Sequence, residues 1–192
     1  VTPGNTHKLI VHAEDFLRSG TQGNGKQSKR YHSEGCSYTR TTGIWQTVWL
    51  EAVPTQGLKS CKLTTDIDNG TISLVPTYYS QPINKKLEII IKGEGVEVAK
   101  QTVICASGAT TTIKLSNPRL WSTIDPYLYD IELRMLDDSL EQYDYVETYI
   151  GLRKFDIRGN RFYLNNKPIY LRWVLDQGFY PDGGWTSPND DA

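Results

Sequence analysis

The sequence is poor in every feature that would assign it to a specialised class. Three cysteines, Cys36, Cys61 and Cys105, lie far apart, with no CxxC pair. An odd, scattered set argues for buried or half-buried thiols rather than a disulfide framework. The three histidines, His7, His12 and His32, never fall at metal-ligand spacing, so no metal site is expected. Charge of either sign is not in excess: 21 Lys and Arg stand against 22 Asp and Glu, a net of −1. That balance supplies no electrostatic footprint for nucleic acid or for an anionic membrane. No apolar run comes near the ~20 residues that span a bilayer. Phosphate-binding Gly-rich loops, HExxH and the Gly-x-Ser-x-Gly nucleophile elbow are missing too, and no cofactor is expected.

What is there is ordinary globular composition, 38% hydrophobic and 22% charged over 192 residues. The hydrophobic period is two. Leu87, Ile89 and Ile91 alternate with Glu88 and Lys92, and Tyr129, Ile131, Leu133 and Met135 alternate with Asp130, Glu132 and Arg134. Thr111, Ile113 and Leu115 repeat the pattern, as do Ile72 and Leu74 with Tyr78. Cys61 runs in phase with Leu63 and Ile67, which points its thiol toward a core. Turn chemistry bounds these runs at Asp68-Asn69-Gly70, Gly93-Glu94-Gly95, Ser107-Gly108 and Asp137-Asp138-Ser139. Asn69-Gly70-Thr71 is formally a glycosylation sequon, but Asn-Gly is more simply a hairpin turn. Seven strand-like runs between Leu58 and about Ile150 predict an all-β fold, an immunoglobulin-like antiparallel sandwich of ~100 residues. Its interior should be made by Leu63, Ile72, Leu74, Leu87, Ile89, Ile113, Leu115, Ile131 and Leu133.

The flanks read differently. His7 to Ala13 and Trp45 to Val53 each predict a strand, with Trp45 and Trp49 on one face. The Gly-rich connector from Glu14 to Gly43, with Lys26, Lys29 and Arg30, reads as a long loop with a solvated basic face. Two strands and a loop cannot bury a core, so residues 1–53 are expected to be the end of a larger β-domain. At the other end, Phe162-Tyr163-Leu164 and Ile169-Tyr170-Leu171 predict a hairpin across Asn165-Asn166-Lys167-Pro168, the Asn pair tolerating positive φ. Val1 leads directly into a Pro-Gly turn, not into a targeting segment, and Asn189-Asp190-Asp191-Ala192 reads as the first turn of a helix. The expectation is therefore an excised piece of a longer polypeptide, which leaves its compartment and oligomeric state open. The adjacent acids Glu14-Asp15, Asp137-Asp138 and Asp190-Asp191 sit in loops and make poor acid–base pairs.

Three motifs in order carry a resemblance. Tyr38-Thr-Arg-Thr-Thr-Gly-Ile-Trp-Gln-Thr-Val-Trp-Leu-Glu51 resembles the last strand of the sugar-binding jelly roll in family 2 glycoside hydrolases. Asn117-Pro-Arg-Leu-Trp-Ser122 with Asp125-Pro-Tyr-Leu-Tyr129 resembles the signature of that family's central immunoglobulin-like domain. Ile150-Gly-Leu-Arg153 followed by Phe162-Tyr-Leu-Asn-Asn-Lys-Pro-Ile-Tyr-Leu-Arg172 is similar to the junction into its (β/α)8 catalytic barrel. The resemblance implies three parts: residues 1–53 from a jelly roll, 54–152 as the sandwich and 153–192 as the start of the barrel. It further implies a β-galactosidase- or β-glucuronidase-like parent that acts on a carbohydrate by retaining hydrolysis with two carboxylates. The family's Asn-Glu acid/base pair occurs nowhere in the sequence, so no catalytic residue is assigned and this chain alone is expected to be inactive.

One stretch matches a sugar-lining segment of the family by position. Where members read Arg-Gly-Val-Asn-Arg-His-Glu-His-His-Pro, this chain reads Arg172-Trp-Val-Leu-Asp-Gln-Gly-Phe-Tyr-Pro181, with Leu175, Asp176 and Gln177 in place of Asn, Arg and His. Asp176 and Gln177 suit hydrogen bonding to sugar hydroxyls, and Tyr180 and Trp185 offer flat apolar faces to a pyranose. The plainer reading is a polar loop with two surface aromatics. Trp121 and Tyr127 are expected to pin a strand and fill core rather than form a carbohydrate platform. A free-standing carbohydrate- or protein-binding sandwich is the rival reading for the chain as a whole.

Overall fold

The structure is a computed structural model and describes residues 4–44, 47–175, 180, 187–189 and 191. Two compact units divide the chain: Ala52–Arg172 is one, and Val1–Glu51 with Trp173–Ala192 is the other. Among the described residues there are strands and no helix, hence no helix long and apolar enough to cross a membrane.

In the unit Ala52–Arg172, seven strands build a two-layer sandwich: β1 (Leu58–Asp66), β2 (Thr71–Tyr78), β3 (Lys86–Gly93), β4 (Val96–Ile104), β5 (Thr111–Lys114), β6 (Tyr129–Leu136) and β7 (Gln142–Ile150). One sheet has the order β1-β2-β5 and the other β4-β3-β6-β7, every pairing antiparallel. The number of strands matches the seven runs counted from the alternation, and the class is the expected all-β sandwich. Local chemistry sets the turns. The Asp66 carboxylate accepts from the backbone N–H of Asp68 (2.9 Å) and Asn69 (3.1 Å), closing an Asx turn. Gly93 pairs with Val96 across two residues at positive φ, Glu94 (53°) and Gly95 (80°), a twist that matches the flanking strands.

The inner faces of β2, β3, β5 and β6 supply the core. Ile72, Leu74, Leu87, Ile89, Ile91, Ile113, Leu115, Tyr129, Ile131, Leu133 and Met135 are all buried. Leu63 departs from the expectation by being half-buried, because β1 is an edge strand whose side chains the opposite sheet only partly covers. Cys61 and Ile67 behave like it, packed against the core from the rim. Cys105 is buried and Cys36 is exposed, so the expectation of buried thiols fails for Cys36, which sits in a surface turn.

A third sheet follows directly: β8 (Phe155–Arg158), β9 (Arg161–Leu164) and β10 (Lys167–Ile169) form an antiparallel meander. The expected hairpin is present as β9–β10. Its turn is tighter than anticipated, two residues only, with Asn165 at φ 50° and Asn166 at φ 63°, and Lys167 already pairs with Leu164. β8 was not anticipated. Its four residues are too short for alternation to register.

The other unit differs from the sequence reading. Residues 7–13 and 47–53 form no ladder among the described residues, and Leu9, Ile10, Trp49 and Leu50 are exposed. Trp45 lies outside the described residues. Strand-forming sequence makes a ladder only where a neighbouring strand lies alongside it. The connector is more ordered than a free loop. Gln27 and Tyr38 bridge, as do Glu34 and Ser37, Leu17 and Ser28 are buried, and Arg40 stacks on Tyr31 at 4.5 Å. Arg30 is paired with Glu34 (2.8 Å), so part of the basic run is neutralised locally.

Leu133 is almost wholly enclosed between the sheets on β6. Leu133→Ala should lower the unfolding free energy by about 2–5 kcal/mol in urea titrations. Val98→Ala on the exposed side of β4 should cost less than about 1 kcal/mol.

Candidate functional site

The sequence candidates fall mostly outside what the structure describes: Asp176, Gln177 and Trp185 do so, and Tyr180 is described as a half-buried residue in an isolated bridge. Among the described residues the structure builds a dense joint between the sandwich and the β8–β10 meander, from residues the sequence reading had given to turns and core.

Trp121 is the centre of this joint. Its backbone N–H donates to the Leu152 carbonyl (3.0 Å), and its own carbonyl accepts from Asn165 Nδ2 (2.9 Å). The indole lies against Gly151, where a Cβ would come within 3.1–3.2 Å of three Trp121 carbons. The Arg153 guanidinium covers the ring at 4.5 Å. Asn165 also accepts from the Lys154 N–H at Oδ1 (3.0 Å), so one side chain ties the meander's turn to both segments. A left-handed backbone is well suited to Asn, which explains why this residue and no larger one sits there.

A second contact lies beside the first. Asp68, in the β1–β2 turn, accepts from Lys154 Nζ (2.7 Å) and Asn166 Nδ2 (2.6 Å), and Thr65 Oγ1 donates to the Arg153 carbonyl (3.0 Å). The hydrogen bond from Lys154, then that from Asn166, holds the Asp68 carboxyl below the usual carboxylate range. On the preceding loop Arg119 grips Asp125 through two bonds of 2.9 Å, reaches Glu94 at 2.7 Å and lies 4.2 Å over Tyr127. Tyr127 meets Tyr129 edge-on, and its hydroxyl fills the space that a Cβ on Gly93 would need. Trp121 and Tyr127 are thus committed to packing, in line with the expected pinning role.

Among the described residues each carboxyl whose pKa is displaced moves downward: Asp66 beside Asn69, Asp68 beside Lys154, Asp125 beside Arg119 and Glu132 beside Lys92. A glycosidic general acid needs the opposite displacement, to stay protonated near neutrality. Among the described residues no group of three or more His, Cys, Asp or Glu is placed to hold a metal.

Comparison with known proteins bears on the same region. The model of the family described as "Glycosyl hydrolases family 2" matches residues 48–153. A β-galactosidase of Halalkalibacterium halodurans is 26% identical over 148 residues, 73% of this chain and 15% of that protein. A β-galactosidase of Thermoanaerobacter pseudethanolicus is 26% identical over 97% of this chain and 25% of its own length. Among solved structures, a β-glucuronidase from Ruminococcus gnavus superposes with a TM-score of 0.52 at 22% identity, covering 68% of this chain and 21% of that one. The likeness to the solved structure speaks to fold. This chain spans between about a seventh and a quarter of the length of the two curated relatives.

Asn165→Gly keeps the turn's φ and removes both side-chain bonds. It should cost about 1–3 kcal/mol in urea unfolding, at 0.5–1.5 for each bond. The Asp68 contact sets a pH dependence. A carboxyl held below its unfolded value adds stability above about pH 4, the unfolded range, and loses it as pH falls through the lower folded value. Thermal unfolding of the chain should be flat from neutrality to about pH 5 and fall below that, and Asp68→Asn should shallow the fall.

Proposed function

The chain belongs to the glycosyl hydrolases family 2, and from that premise we propose that it is a non-catalytic central piece of a retaining, β-galactosidase-like enzyme of that family. Its work is to hold a sugar-binding domain and a catalytic barrel in a fixed relation. In this reading residues 1–53 close a jelly roll, 54–152 are the sandwich, and 153–192 begin the (β/α)8 barrel. The two carboxylates that protonate the leaving oxygen and attack the anomeric carbon belong to other parts of the parent.

The observation that carries the proposal is the joint around Trp121. A spacer is useful only if it is stiff. Here Trp121, Asn165, Lys154 and Asp68 fasten the β8–β10 meander to the sandwich at both its turn and its leading strand. Ala52–Arg172 forms one compact unit. The β-galactosidase names of the relatives and the family match support the substrate class, a β-linked glycoside.

In the same reading Asp176 and Gln177 lie just past the first barrel strand, at the face where barrel active sites are built, with Tyr180 and Trp185 close behind. Asp176 would accept from a sugar hydroxyl and Gln177 would donate and accept.

The test uses the full-length parent and nitrophenyl β-galactoside. This 192-residue chain alone should show no turnover, while the parent is active. Asp176→Ala and Gln177→Ala in the parent should each lower kcat/KM by about 10–100-fold, or about 1.4–2.8 kcal/mol. Turnover by the purified chain overturns the spacer role, and wild-type efficiency in both variants returns 176–185 to an ordinary surface loop.

A further inference from the structure

The outer face of the four-stranded sheet holds an arrangement that a spacer does not require. The alternation that sends Leu87, Ile131 and Val146 inward sends Lys92, Asp130, Glu132, Glu147 and Tyr149 outward. The register sets Lys92, Asp130 and Tyr149 in one row across β3, β6 and β7, with Ile90, Glu132 and Glu147 in the next. Adjacent strands are ~4.8 Å apart, so each row is about 10 Å long. The rows border a concavity of about 400 Å³ beside Gly95. That is the small end of the ~300–1,000 Å³ range of small-molecule sites, room for one or two sugar rings.

The polar groups around it are unequally committed. Glu132 is saturated, paired with both Lys92 and Arg134. Glu147 accepts from the Tyr145 hydroxyl at one oxygen (2.5 Å), which leaves its second oxygen open. Lys92 reaches diagonally to Glu132 rather than straight across to Asp130, and among the described residues Asp130 has no side-chain partner. Tyr149 is 66% exposed on an edge strand, its ring standing at the rim.

This mixture selects a ligand class. The lining sets three carboxylates against one ammonium that is already paired with Glu132, so it repels an anion, and a small bare cation would leave the Tyr149 ring unused. A neutral hydroxyl both donates and accepts, so it can use Lys92 as donor and the carboxylates as acceptors at once. A pyranose also has an apolar ring face to set on tyrosine. We propose that this concavity is an accessory carbohydrate site that takes a neutral pyranoside, its ring on Tyr149 and its hydroxyls on Asp130, Glu147 and Lys92. The site belongs to the sandwich and stands independently of the spacer role and of the barrel.

Titration of the ¹⁵N-labelled 192-residue chain with β-1,4-galactotetraose and cellotetraose, followed by NMR, tests it. At least one should give saturable shifts centred on the amides of Lys92, Asp130 and Tyr149, with a Kd of about 1 mM or tighter. Tyr149→Ala and Asp130→Ala should each weaken binding about tenfold or more, with spectra that remain folded. Tyr79→Ala, an exposed tyrosine elsewhere on the sandwich, should leave it unchanged. The absence of saturable shifts up to about ten times that Kd overturns the proposal. So do shifts centred elsewhere, undiminished binding by Tyr149→Ala, or equal binding of glucuronate or pentalysine.

Discussion

Burial between two sheets is the constraint on which everything else in Ala52–Arg172 depends. The central strands β3 and β6 carry most of it, since each is paired on both sides and faces the opposite layer along its whole length. At ~25 cal/mol per Å² of apolar surface removed from water, a row such as Leu87, Ile89 and Ile91 opposite Ile131, Leu133 and Met135 outweighs any single polar contact in the molecule. Polar contacts on this framework choose geometry rather than supply cohesion. Arg119 with Asp125 and Glu94 is of that kind: solvent screens the pair, so its value lies in fixing the loop that delivers Trp121.

The joint ties the end of the sandwich to the β8–β10 meander through a few residues. Trp121 is fixed by its main chain at both N–H and C=O, and by its ring between Gly151 and Arg153. Those contacts restrain different degrees of freedom: the hydrogen bonds set the path of the chain and the ring sets its separation from the meander. Gly151 is needed for closeness of approach and not for an unusual backbone, because a Cβ there would crowd the indole. The Asp68–Lys154–Asn166 contact, on the β1–β2 turn, supplies a second point of attachment. Two points resist rotation where one would not.

Much of this was legible in the sequence, unevenly. Alternation gave the strand count and placed β1, β2, β3, β5 and β6, because both layers bury one face, the case in which period two is unambiguous, but it named no run for the edge strands β4 and β7. It misjudged Leu63 because an edge strand alternates like a central one while burying less. Residues 7–13 and 47–53 carry strand-like sequence, yet pairing is a property of neighbours and their own residues cannot disclose whether one is present. The joint was invisible for a different reason. Trp121, Asn165 and Asp68 are 44 and 53 residues apart along the chain, and only the fold brings them together. Asn165-Asn166 gave the one local signal, a turn at positive φ, without showing that the Asn165 amide would serve a second segment.

The electrostatics divide labour in the same way as the fold. A carboxyl becomes a general acid where burial or a like charge keeps its proton. In this chain Asp68, Asp125 and Glu132 each sit beside a cation on well-solvated turns or on an outer sheet face, and each is held in its charged form. The pairing that fixes these turns is therefore opposed to the chemistry that protonates a leaving group, since the cation that holds a carboxylate in place also favours its charged form. Asp130 is the instructive exception. It shares the outer face with Glu132 and the row with Lys92, but the lysine turns to its neighbour, so Asp130 keeps both oxygens free for hydrogen bonds from solvent or a ligand. The same sheet face thus holds one carboxylate fixed by two cations and beside it one that is left to solvent or a ligand.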